Sequence, residues 1–133
     1  MDGVRIDHVG IATNSISQSS IFWKILGFIN SGEHIVEEQG VKVRYMDAKE
    51  GARIELLEPL RDNTPIANFI KKNGPGIQQI AVSVTNIEEI IEKLKSSGVR
   101  MINENPTKGA GDKLIAFIHP SSTGGVLVEL IQG

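Results

Sequence analysis

The chain has 133 residues, 40% of them hydrophobic and 23% charged, with a formal net charge of −2. That is enough apolar material for one compact domain, and it gives no reason to expect nucleic acid or an acidic membrane surface as a partner. There is no cysteine, which excludes disulfides and thiolate chemistry and leaves only nitrogen and oxygen ligands for any metal.

No stretch approaches the roughly 20 apolar residues of a membrane span, and Met1 to Ile6 lacks the apolar run of a signal peptide. A cytoplasmic protein is expected. In chain order, His8 to Thr13 reads as a short strand rich in Val, Ile and Ala. A helix from about Ser15 to Leu26 follows, with apolar positions Ile16, Phe22, Trp23, Ile25 and Leu26, and Gly27 closes it. Three strands are expected next, at Phe28–Val36, Val41–Asp47 and Ala52–Glu58. Thr64-Pro65 is a cap and first-turn pair opening a short helix through Lys72, stopped by Asn73-Gly74-Pro75-Gly76.

The second half repeats this order. Gln79 to Val84 reads as a strand. Ile87, Ile90, Ile91 and Leu94 then recur at helical spacing, with Asn86 and Glu89 as a capping pair and Gly98 at the end. Strands are expected at Val99–Asn103, Lys113–His119 and Gly125–Ile131.

Sliding the chain on itself explains the resemblance between halves. At one offset Ile6-Asp7-His8 falls on Ile77-Gln78-Gln79, Ile16 on Ile87, Trp23 on Leu94 and Gly27 on Gly98. Three residues further on, Arg53-Ile54-Glu55-Leu56 falls on Leu127-Val128-Glu129-Leu130. The expected fold is therefore α+β: two βαβββ modules at about 4–60 and 76–132, joined by a linker helix at about 64–73, related by a pseudo-two-fold and forming a cleft in one domain of residues 1–133.

Four polar residues occupy strand positions that should be apolar: His8, Glu55, Gln79 and Glu129. One mid-strand Glu reads most simply as a side chain alternating to solvent. Two pairs at repeat-equivalent positions read differently, because a pseudo-two-fold brings all four towards one axis. An imidazole, an amide oxygen and two carboxylates suit a divalent ion, which also relieves the repulsion between the carboxylates.

At these residues the chain resembles the methylmalonyl-CoA epimerases, within the vicinal-oxygen-chelate superfamily that also contains glyoxalase I. The likeness is carried by Ile6-Asp7-His8-Val9-Gly10-Ile11-Ala12, Ile54-Glu55-Leu56-Leu57-Glu58-Pro59-Leu60 and Thr64-Pro65-Ile66-Ala67-Asn68-Phe69-Ile70. It continues in Gly76-Ile77-Gln78-Gln79-Ile80-Ala81, Gly109-Ala110-Gly111, Phe117-Ile118-His119-Pro120 and Thr123-Gly124-Gly125-Val126-Leu127-Val128-Glu129-Leu130. The resemblance implies one divalent ion (Zn, Co, Ni or Mn) held by His8, Glu55, Gln79 and Glu129. It also implies epimerisation of methylmalonyl-CoA or a related acyl-CoA, with Glu55 and Glu129 as the two bases.

Two departures stand out. Gln78-Gln79 replaces the family's His pair, and Ser121 replaces a Lys after His-Pro. A glyoxalase I acting on a glutathione adduct and a non-enzymatic binding module are the alternatives within the same fold. A homodimer is the expected assembly.

The remaining candidates are read as structural. His119-Pro120 is expected to be structural or cleft-lining, and His34 exposed. Lys71, Lys72, Lys93 and Lys95 are taken as solvated helix faces, and Trp23 as core. Gly109-Ala110-Gly111 leads into a strand, not a helix, so it is read as a loop over the cleft and not as a dinucleotide fingerprint.

Overall fold

Side-chain caps and left-handed glycines set the helix limits in the computed structural model, which describes residues 3–133. The elements are β1 (Arg5–Ala12), α1 (Ile16–Leu26), β2 (Ile29–Val36), β3 (Val41–Asp47), β4 (Arg53–Pro59), α2 (Pro65–Asn73), β5 (Gly76–Ser83), α3 (Ile87–Ser96), β6 (Thr107–Lys108), β7 (Leu114–Ile118) and β8 (Leu127–Gln132). Ser15 caps α1 by accepting the Gln18 amide at 3.2 Å, and Asn86 caps α3 by accepting the Glu89 amide at 3.2 Å. Gly27 and Gly98 then turn the chain at φ 117° and 83°. Beyond them Phe28 donates to the Trp23 carbonyl at 2.9 Å and Val99 to the Leu94 carbonyl at 3.0 Å. Thr64 caps α2 through the Ala67 amide, with Pro65 in the first turn.

The chain divides into two compact units, one of His8–Gln78 and one of Gln79–Gly133 with the described residues up to Asp7. In the first, the strands lie in the order β2-β3-β4-β1, with β1 and β4 parallel and the other neighbours antiparallel. In the second the order is β5-β8-β7-β6, with β5 and β8 parallel.

The repeat seen in the sequence holds at the level of strand register. His8 pairs with Arg53, Gly10 with Glu55 and Ala12 with Leu57. Gln79 pairs with Leu127, Ala81 with Glu129 and Ser83 with Ile131. The offsets are the same ones, 8 to 79 on the first strand and 55 to 129 on the last. A slip of one residue would turn every side chain to the other face, so this agreement fixes which residues face the helix and which do not.

In the first unit α1 covers one sheet face, where Ile16, Met46 and Leu56 are buried with Ile11, Trp23, Phe28 and Ile54 against them. α2 covers part of the other face, where Ile66 joins Ala12, Val41, Val43 and Leu57, flanked by Phe69 and Ile70. In the second unit α3 contributes Ile87 and Ile91 to a core with Val84, Ala116, Ile118 and Leu130. Among the described residues no helix is long and apolar enough to cross a membrane.

One expectation is corrected. Val99–Asn103 does not form a strand. Met101 alone bridges Ile118, and regular pairing resumes only at β6 against β7. The Asn103 side chain accepts the Phe117 amide at 2.9 Å, taking the bond a strand carbonyl would make, and Pro106 has no amide to offer. In α1 the buried side is Ile16 and Ser20, with Trp23 half-buried against the core, while Phe22, Ile25 and Leu26 are exposed.

Candidate active site

Alternation along β4 puts Ile54 and Leu56 on the α1 face and Arg53, Glu55 and Leu57 on the other. Glu55 therefore projects from the side of the sheet that α1 leaves open. His8 on β1 stands on the same side, 7% exposed, with its Nδ1 3.4 Å from Oε2 of Glu55. The Glu55 side chain is 14% exposed. Gly10, directly across from Glu55, offers no side chain to crowd the carboxylate.

The other neighbours of Glu55 were missed from sequence. Tyr45 is its register partner on β3. The Arg53 guanidinium lies 4.6 Å over the Tyr45 ring and grips Asp47 in two bonds, 2.7 Å from Nε and 3.1 Å from Nη2. Burial pushes the Tyr45 phenol above its ordinary range, the Glu55 charge adds to this and Arg53 partly offsets it. The Arg53 hydrogen bond holds the Asp47 carboxyl below the usual range, and Asp47 in turn raises Arg53. Tyr45 thus stays a neutral phenol and Arg53 a fixed cation. Period-two alternation from Glu55 would have found Arg53, and the chain has a single tyrosine to draw attention to Tyr45.

The second unit presents the counterpart. Gln79 and Glu129 are both half-buried on the side of the sheet away from α3. Ala81, the smallest side chain after glycine, faces Glu129 where Gly10 faces Glu55, and Phe117 pairs with Glu129 where Tyr45 pairs with Glu55. On the opposite side of β5, Oε1 of Gln78 is buried without a hydrogen-bond partner among the described residues.

The His8–Glu55 pair fits a divalent ion. Two donors each about 2.1 Å from one metal, at roughly 90–110°, stand about 3.0–3.4 Å apart, and the observed separation is 3.4 Å. Within either unit, among the described residues, no three His, Asp or Glu side chains cluster as a metal site.

A cavity of about 540 Å³ opens in the first unit beside α2, lined by Asn14, Pro59, Asp62, Asn63, Asn68 and Lys71. Pro59 lies four residues beyond Glu55 on the same strand, about 13 Å away at the usual rise. The other polar candidates are structural. His119 accepts the Ser121 amide at 3.0 Å and so caps a 3-10 turn, and His34 is exposed. Lys93 pairs with Glu89, and Lys95 with Glu92 and Glu104, at the surface. Gly109 packs close under Ile115 and leads through a 3-10 turn into β7.

The model of the glyoxalase/bleomycin resistance protein/dioxygenase superfamily matches residues 7–117. The mitochondrial methylmalonyl-CoA epimerase of Homo sapiens is 38% identical over 130 residues, 96% of this chain and 73% of that protein. The ethylmalonyl-CoA/methylmalonyl-CoA epimerase of Cereibacter sphaeroides is 34% identical over 131 residues, 96% of this chain and 97% of its own length. A solved methylmalonyl-CoA epimerase in complex with methylmalonyl-CoA and NH4+ superposes with a TM-score of 0.82 at 30% identity, covering 99% of this chain and 96% of that one. The chain belongs to the glyoxalase/bleomycin resistance protein/dioxygenase superfamily and, within it, groups with the methylmalonyl-CoA epimerases as an epimerase-like isomerase.

Proposed function

We propose that the chain inverts the α-carbon of methylmalonyl-CoA, or a close acyl-CoA relative, by moving a proton between two carboxylates. The observation that carries this reading is the register equivalence of Glu55 and Glu129, each set opposite a residue small enough to leave room beside the carboxylate. The solved relative that holds methylmalonyl-CoA supports the substrate class. The Cereibacter relative, named for two malonyl thioesters, keeps the acyl branch open.

Epimerisation removes the proton next to a thioester carbonyl and returns one to the opposite face. The barrier is the negative charge that builds on the thioester oxygen. Glu55 serves as one base and Glu129 as the other, each able to accept or return the proton. His8 holds the Glu55 carboxylate in one orientation through the 3.4 Å contact. Tyr45, kept neutral, and Arg53, pinned by Asp47, border the same carboxylate and limit its swing. A divalent ion would be held by His8, Glu55, Gln79 and Glu129, and when bound it supplies positive charge where negative charge develops. The cavity beside α2 gives the long arm of the thioester a polar berth, with Lys71 for phosphate and three asparagines for amide groups.

Incubating methylmalonyl-CoA with the protein in D2O tests the reading. Deuterium should enter the α-carbon, and Glu55→Gln or Glu129→Gln should suppress its entry by at least about a hundredfold. Wild-type protein loaded in turn with Zn, Co, Ni and Mn that exchanges no α-proton would sink it.

A further inference from the structure

Arg53 stands on the open side of the first unit's sheet, across from His8 on β1 and two residues before Glu55 on β4. Its guanidinium is held from two directions. The guanidinium carbon lies 4.6 Å over the centre of the Tyr45 ring, and Nε and Nη2 bind the two oxygens of Asp47. A cation over a ring is drawn to the π-face and uses up no N–H donor on it. The Asp47 fork takes two of the five N–H donors of the guanidinium. Among the described residues, the other edge, made by Nη1 and the second hydrogen of Nη2, is left for a further acceptor, and the side chain is 41% exposed. That edge presents two parallel donors, the spacing a carboxylate accepts.

The remaining cations of β3 and β4 belong to the α1 side. Arg44 donates to Ser20, which α1 buries, and Lys42 pairs with Glu58, the acceptor of the Ile16 amide. Arg53 is the cation these two strands place on the side of Glu55. The hydrogen bond to Asp47 and, to a smaller degree, the charge of Glu55 hold it above its ordinary pKa range. The second half builds the same strand pair without such a group. Leu127 stands at the place of Arg53, and Phe117 at the place of Tyr45. The fold therefore does not require a guanidinium there. A malonyl thioester is lopsided in the same sense, since its α-carbon carries one charged arm.

We propose that the free edge of Arg53 binds the carboxylate of a malonyl-type thioester and so selects such substrates over simple acyl thioesters. The proposal rests on the epimerase reading for its substrate class. Tyr45 and Asp47 hold the guanidinium before substrate arrives, so little side-chain freedom is lost on binding. An acyl thioester without a carboxylate leaves the edge to water and gains nothing from it.

Titration calorimetry with methylmalonyl-CoA and propionyl-CoA tests this. The two share the thioester and the whole coenzyme arm and differ by one carboxylate. Epimerisation does not alter methylmalonyl-CoA that is already an equilibrium mixture of epimers, so active protein can be titrated. The preference is the ratio of the two dissociation constants, compared between proteins of equal metal content. Arg53→Gln should cut the wild-type preference at least about tenfold by weakening methylmalonyl-CoA. A preference that stays within about twofold of wild type overturns the proposal, and so does an equal loss of affinity for both thioesters. If Arg53→Gln does not fold, Arg53→Lys keeps the charge and gives up the fork. It should cut the preference about threefold or more, and an unchanged preference overturns the proposal there too. Deuterium entry at the α-carbon is read beside the titrations. A chain that exchanges the α-proton while its preference ignores Arg53 loses this proposal alone. A chain that exchanges none, yet keeps an Arg53-dependent preference, loses the proposed activity and keeps the carboxylate site.

Discussion

The carboxylate of Glu58 accepts a hydrogen bond from the amide of Ile16 at 2.7 Å, so the end of β4 caps the start of α1 across 42 residues of chain. Gln132 does the same for Ile87 at 2.6 Å, tying β8 to α3. The amide at the first helical position has no partner within its helix, and in both halves a side chain from the last strand supplies one. Near a helix N-terminus a charged acceptor gains from the dipole as well.

Removing either acceptor should loosen its own unit. Glu58→Ala and Gln132→Ala should each cost about 1 kcal/mol, as lost helix caps do. Glu58→Gln, which keeps the oxygen and gives up the charge, should recover most of the loss. Denaturant midpoints read the effect. A Glu58→Gln variant as unstable as Glu58→Ala would mean that charge, not the hydrogen bond, is what holds α1.

The Asp47–Arg53 pair sets a pH dependence. Asp47 has its pKa lowered in the folded chain, so its contribution is present above the unfolded value near 3.9 and fades as pH falls through the folded value. Both side chains are more than a third exposed, so screening holds the contribution below about 1 kcal/mol. Wild type should exceed Asp47→Asn in stability by a constant amount from neutral pH down to about pH 5, and the gap should close in more acid solution. A gap that widens on acidification would contradict the assignment.

Glu129 is proposed both as metal ligand and as base. Glu129→Ala should therefore lower bound metal and turnover together. Elemental analysis after dialysis, beside the α-proton exchange rate, checks this. Full metal content with lost exchange would leave Glu129 as base only, and unchanged exchange would remove it from both roles.

Gln79 offers an amide oxygen where an imidazole is the better ligand for borderline ions. Gln79→His should bind Co and Zn about tenfold or more tightly and keep or raise exchange of the α-proton. Titration of the apo-protein with each ion measures it. A variant with no gain in affinity would place Gln79 outside the metal's reach and favour a role in lining the site.

Most of the fold was legible because it is written twice. The offsets found by sliding the chain reproduce the β1–β4 and β5–β8 registers residue for residue, and the cap at Asn86 follows from residue type. The segment after Gly98 was not legible, because Asn103 hands its side chain to the ladder in place of its backbone, and composition does not show that choice. Glu55 was found by its repeat partner, whereas Tyr45 and Arg53 have no like residue in the second half, where Phe117 and Leu127 stand. Glu58 at a strand end reads as solvated until the helix it caps is in place.

The shortness of β6 has a consequence for solubility. Two residues, with Pro106 just before them, make too little edge for a foreign strand to lengthen. Growth by strand addition has no foothold there. That end of the second unit's sheet has a built-in defence against running on into a fibre.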